Sequence, residues 1–211
     1  MKPFASGCFQ QNGVLQSEDA DFLREVGGFD LPLELVCPVR LELPLAPLVA
    51  AELQDIDTRG WLAQARAAFD QLQAKHDFVI VEGVGGWFVP LWRRDDETAA
   101  TCADLVSSWD LPVVVVARRN LGTINHTALT CHAIREIVNL LGVVFCDAQS
   151  VEPDDLAAQT SSKIACELAQ TRQLGFVPHQ HNWSEARQEL EPLALELEHL
   201  CAHHLFKAKT R

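Results

Sequence analysis

The chain has 211 residues, and its 17 Lys and Arg stand against 29 Asp and Glu, a formal net charge of −12. Hydrophobic residues make up 48% of it, enough to build one buried core, so length and composition predict a single domain over residues 1–211. The acidic balance, with an isoelectric point near 5.0, sets the chain against nucleic acid and anionic membrane surfaces, which repel it. There is no run of about 18 apolar residues to predict a membrane span. The first residues, MKPFASGCFQ, have no apolar stretch of the kind that opens a secretory signal. Seven cysteines occur without a C-x-x-C spacing, which predicts reduced, buried thiols in a cytoplasmic protein rather than a zinc ribbon or a disulfide framework.

In chain order, the first fifty residues are rich in Gly and Pro and lack periodicity. A short helix is predicted near Asp19–Val26, followed by an extended, wandering segment around Pro32, Pro38, Pro44 and Pro47. From Thr58 the apolar residues Trp61, Leu62, Ala65, Ala68, Phe69 and Leu72 recur at helical spacing and stop at Lys75–His76. Phe78–Val81 is a short apolar run that predicts a strand ending at Glu82-Gly83. Helix and strand signals then alternate. Cys102, Leu105, Val106 and Trp109 suggest a helix, and Val113–Val116 a strand. Leu129, Ala133, Ile134, Ile137 and Leu141 mark a long helix, and Val143–Phe145 a strand. A helix runs through Ile164 and Leu168, Phe176-Val177 forms a very short strand, and an amphipathic helix spans Leu190 to His204.

Strands without alternation are buried on both faces, as in a parallel sheet covered by helices on both sides. The fold class is therefore α/β, an open, mostly parallel sheet. In such sheets ligands bind beyond the carboxyl ends of the strands. That rule selects Glu82–Gly86, Ala117–His126, Cys146-Asp147 and Pro178-His179. At the first of these a carboxylate stands beside three glycines, which let backbone N–H groups approach a phosphate closely, and the carboxylate itself is an oxygen ligand for Mg2+.

The longer string V-E-G-V-G-G-W-F-V-P-L resembles the strand-end signature of dethiobiotin synthetases. Lys2-Pro3-Phe4-Ala5-Ser6-Gly7 is similar to that family's K-P-V-A-S-G segment, and Asn120–Thr127 to its G-L-G-T-I-N-H-T segment. Ser17–Ala20 and Pro44–Ala51 resemble two further motifs, so the likeness runs from Lys2 to about Pro178. It implies a P-loop-type α/β fold, a homodimer, ATP as co-substrate and Mg2+ as cofactor. The implied reaction closes the ureido ring of dethiobiotin from 7,8-diaminononanoate, CO2 and ATP through a phosphorylated carbamate. Such chemistry needs cationic stabilisation of phosphoryl charge and little covalent work by the protein.

Residue by residue, the resemblance implies Lys2 as the catalytic ammonium at the carbamate and γ-phosphate, and Ser6 as a contact of the diamine. Asp19 and Glu82 are the implied acids near Mg2+ and nucleotide. Gly83, Val84 and Gly85 continue the nucleotide-contacting loop, and Asp147, Pro178, His179 and Gln180 are implied at the nucleotide's other end. The histidines at 179, 181, 199, 203 and 204 have no accompanying carboxylate frame and predict no metal site.

The sequence departs from the family's pattern in several places. No G-x-x-x-x-G-K-[ST] string occurs, and that loop cradles the triphosphate in P-loop proteins. The expectation is that the chain begins downstream of a lost strand and P-loop, about 35 residues or one strand–loop–helix unit plus a strand. Cys146 stands where the family has an amide, whose two-way hydrogen bonding a thiol cannot reproduce. Leu48 stands where it has His, and Val36-Cys37-Pro38 replaces an Asn-Pro pair. Two other readings stay open: a P-loop-less, non-catalytic relative that serves as a binding or assembly partner, and a ligase of the wider P-loop group acting on another amine or carboxylate.

Overall fold

A computed structural model of the chain describes residues 1–152, 154–180 and 190–200. By contacts the chain falls into two compact units, Met1–Ser108 and Trp109–Arg211.

In the first unit, β1 (Phe4–Ala5) pairs in parallel with β4 (Val39–Arg40), Phe4 opposite Val39. Between them lie the hairpin of β2 (Phe9–Gln11) and β3 (Val14–Gln16), then α1 (Glu18–Gly27) and α2 (Leu33–Val36). Helix α1 starts where Ser17 accepts a hydrogen bond from the Ala20 N–H, with Glu18, Asp19 and Asp21 in its first turn. It stops at Gly28, whose φ of 64° is the left-handed conformation that glycine adopts without strain. Helix α3 (Pro47–Leu53) opens on a proline at its first turn, where no N–H is needed. Helix α4 (Trp61–Gln73) buries the stripe Trp61, Ala65, Ala68, Phe69 and Leu72. The antiparallel pair β5 (Pro90–Arg93) and β6 (Ala99–Thr101) precedes α5 (Cys102–Trp109). An aromatic cluster anchors this unit. The fully buried Phe4 meets Trp61 edge-on at 6.0 Å between ring centroids and stacks on Trp92 at 6.2 Å.

The second unit is a β-α-β-α-β run. Strands β7 (Val113–Ala117), β8 (Leu140–Cys146) and β9 (Gln173–Val177) form a parallel sheet in that order, joined by α6 (Thr123–Arg135) and α7 (Leu156–Leu168). Residues 190–200 are helical, and Leu193, Leu197 and Leu200 pack on Leu141, Val144 and Leu174 of the sheet. The predicted C-terminal helix thus holds over that span; its continuation to His204 lies outside the described residues.

Several expectations are corrected. Ile137 and Leu141 do not extend the helix that contains Leu129: α6 ends at Arg135, and Leu141 belongs to β8. Apolar residues of the helix and of the strand after it had merged into one periodic pattern. Phe78–Val81 enters no ladder among the described residues. Among the described residues it pairs with Met1, whose amino group donates to the Ile80 carbonyl at 2.8 Å and whose carbonyl accepts from the Glu82 N–H at 2.8 Å. Burial on both faces holds for the central β8 but not for the others: Ile80 is 71% exposed, and Val116, on edge strand β7, is 69% exposed. The Pro-rich segment of the first unit is not wholly extended either, since α2 and α3 form within it.

Cys37 lies wholly buried beside Cys8, and burial together with that neighbouring thiol pushes its pKa up to about 12, from an ordinary 9.0. The folded state therefore holds this proton more tightly than the unfolded chain does. The resulting stabilisation is complete below about pH 9 and is lost as the pH climbs towards about 12. Iodoacetamide at about pH 8.5 should leave Cys37 unmodified in the native chain and alkylate it in denaturant, read by peptide mass mapping. Native labelling at the rate of an exposed thiol would contradict this placement.

Candidate functional site

In the first unit, the backbone carries Lys2 inward immediately before β1: its N–H donates to the Val36 carbonyl at 2.8 Å. The side chain is only 6% exposed, and a buried ammonium needs partners. It has them. The Nζ lies 2.8 Å from Oδ2 of Asp19 and 2.8 Å from Oε1 of Glu82, with the Gly83 carbonyl at 3.4 Å. Asp19 comes from the first turn of α1, and Glu82 from the end of the segment paired with Met1. Burial by itself lowers the Lys2 pKa, but the hydrogen bonds and charges of Asp19 and Glu82 outweigh it and hold the ammonium above the ordinary lysine value.

Three of the sequence-predicted residues, Lys2, Asp19 and Glu82, thus form one cluster with a formal charge of −1. Each carboxylate gives Lys2 a single oxygen, and both side chains are about half exposed. Two half-exposed carboxylates with unshared oxygens fit a hard cation such as Mg2+, which binds one or two protein carboxylates and completes its shell with phosphate oxygens and water. Among the described residues there is no cluster of three or more His, Cys, Asp or Glu arranged to hold a metal by themselves. Ser6 lies half-buried just past β1, with Gly7 following at φ 73°. Val84 and Gly85 continue the loop after Glu82. Gly85 sits at φ 66°, and a Cβ there would come within 2.7 Å of Val89. Leu48, which stands where the resembled family has His, is buried in α3.

In the second unit, a cavity of about 340 Å³ opens at the carboxyl ends of β7, β8 and β9. Asp147, Pro178 and His179 line it, with Gln180 half-buried next along the chain. Sequence reasoning missed Arg119. Its Nε and Nη2 grip Oδ1 and Oδ2 of Asp147 at 3.0 and 2.5 Å, and its guanidinium lies 4.0 Å over the Phe176 ring. The one available signal was a strand-end position, since Arg119 lies in the stretch after Val113–Val116. Neighbouring Cys146 is partly buried, and burial raises its thiol pKa, so it stands there as a neutral sulfur rather than an amide.

The chain can be set beside known proteins. The family described as an AAA domain matches residues 1–187. An ATP-dependent dethiobiotin synthetase of Thermodesulfovibrio yellowstonii is 34% identical over 182 residues, which cover 85% of this chain and 75% of that protein. Proteins of the same name from Anaeromyxobacter dehalogenans and Aromatoleum aromaticum are each 38% identical. They match 84% and 85% of this chain, and 74% and 76% of their own length.

Proposed function

The chain belongs to the ATP-dependent dethiobiotin synthetase family, and from that premise we propose that it makes dethiobiotin from 7,8-diaminononanoate, CO2 and ATP. It is an ATP-dependent ligase of biotin biosynthesis by kinship; the steps that follow are our reading of its residues. One amine of the diamine adds to CO2 and loses a proton, giving a carbamate. The carbamate oxygen takes the γ-phosphoryl group and ADP leaves. The second amine then attacks the carbamoyl carbon and loses a proton, phosphate departs, and the ring closes.

The observation that carries this reading is the buried Lys2 ammonium, fixed at 2.8 Å from two carboxylates. A cation already oriented and desolvated stabilises developing negative charge without reorganising during the reaction. Lys2 neutralises charge on the carbamate and the moving phosphoryl group, Ser6 accepts from a substrate amine, and the backbone of Gly83, Val84 and Gly85 approaches the nucleotide. Asp19 and Glu82 would hold Mg2+, which when bound neutralises phosphate oxygens. They also keep Lys2 extended and charged. Asp147, Pro178, His179 and Gln180 take the nucleotide's base. The homodimer is carried over from the family resemblance, and the cytoplasmic location from the reduced thiols that the cysteine pattern predicts.

The test supplies the purified chain with the diamine, MgATP and labelled bicarbonate. We expect acid-stable label in a product that forms only with the diamine, with ADP and phosphate released in equal amounts. ATP hydrolysis without label fixation would overturn the reading. Nucleotide binding with no turnover would favour the non-catalytic relative instead.

A further inference from the structure

The cavity of the second unit carries an unusual balance of charge. Among the described residues that line it, Asp147, Glu152 and Asp155 stand against one guanidinium, that of Arg119. A triphosphate is repelled by such a wall, whereas a neutral planar base is not, and about 340 Å³ lies in the range of small-molecule sites. Asp147 is 8% exposed, so its orientation is set by protein contacts. Those contacts converge on Arg119. The fork binds both carboxylate oxygens, Nη1 donates to the Ala158 carbonyl at 3.4 Å, and Phe176 covers one face of the guanidinium. The backbone of Arg119 is held as well, because Ser161 Oγ donates to its carbonyl at 3.4 Å.

We propose that Arg119 is a positioning residue for nucleobase recognition: it fixes the Asp147 carboxylate in the cavity as an acceptor for the exocyclic amine of a purine. The proposal rests on reading this cavity as the base end of the nucleotide site. An ionised carboxylate only accepts, and each of its oxygens keeps acceptor capacity beyond the bond to the fork. A base that presents an amine there gains a hydrogen bond to a charged group; a base without one forgoes that bond, while the carboxylate stays paired with Arg119. Lysine in place of Arg119 keeps the charge but is a point donor that cannot hold both oxygens in one plane.

The experiment titrates ATP and purine riboside 5′-triphosphate, which lacks only the exocyclic amine, into the full chain up to millimolar concentration. Binding is followed by 1H–15N NMR, including the Arg119 Nε–H signal. The expected result is a preference for ATP of about tenfold in the native chain, the low end of the effect of a hydrogen bond to a charged group. In R119A and D147N that preference should fall to within about twofold. R119K separates positioning from mere charge balance: it should restore the melting temperature without restoring the preference, and recovery of both would overturn the proposal. An unchanged preference in a folded R119A would overturn it too. If the native chain binds neither triphosphate, or binds them with no shift of the Arg119 signal, the base-pocket reading fails and the proposal falls with it.

Discussion

Replacing Lys2 by glutamine is expected to lower turnover by about 10²–10³, equivalent to roughly 3–4 kcal/mol of lost transition-state stabilisation. The ammonium is buried and its position over-determined, by Oδ2 of Asp19 and Oε1 of Glu82 at 2.8 Å each and by its own backbone bond to Val36. Glutamine is close in reach and can still hydrogen-bond, but it brings no charge. The loss should therefore fall on the chemical step, where phosphoryl charge develops, with a smaller change in diamine binding. Lys2→Arg should also fail: the pocket between the two carboxylates is filled by a compact point charge, and a planar fork directs its donors elsewhere. Single-turnover release of phosphate decides the matter, with the melting temperature measured alongside, because removing Lys2 leaves Asp19 and Glu82 facing each other without a counter-ion. Near-normal phosphate release in Lys2→Gln would show that the cluster serves the fold alone.

What the sequence made legible follows a physical divide between local and distant causes. Helix α1 was readable because its cap, its acidic first turn and its terminal glycine are all local, and α4 because five buried residues repeat on one face. The β2–β3 hairpin escaped notice for the opposite reason. No residue of its strands is fully buried and Leu15 packs on the core from a single position, so periodicity is silent. The Asn12-Gly13 pair, with φ of 53° and 79°, is a strong two-residue turn signal standing between them. Pro47 read as a breaker, whereas at a first turn it begins a helix. The site shows the same divide. A lysine beside the first residue has, by sequence alone, the character of a frayed surface charge. Its burial depends on Glu82, eighty residues away, so only the resemblance of K-P-F-A-S-G and V-E-G-V-G-G to family motifs brought the two together in advance. Arg119 had no such motif, and its pairing with Asp147 emerges only when β7 and β8 lie side by side.

The second large effect is expected at Phe4, two residues beyond Lys2, where Phe4→Ala should destabilise the first unit by about 3–5 kcal/mol. The ring is 2% exposed and is held on two sides, edge-on by Trp61 from α4 and in a stack by Trp92 from β5. Both tryptophans are themselves buried and belong to regular elements, so they cannot move inward to fill the void without disturbing a helix and a hairpin. Alanine thus loses the transfer energy of the ring, the two aromatic contacts and the packing of a cavity that stays open. Phe4→Leu keeps more of the volume and should cost clearly less than alanine. A domain's whole stability is about 5–15 kcal/mol, so the alanine variant should be close to unfolding at ordinary temperature. Urea titration with tryptophan emission as the signal reads the change where it arises, since Trp61 and Trp92 lose their shared neighbour. A midpoint shift corresponding to less than about 1 kcal/mol would mean that the aromatic cluster is not the anchor of this unit. The same variant should also weaken the grip on Lys2, because β1 is the element that sets where the ammonium enters the interior.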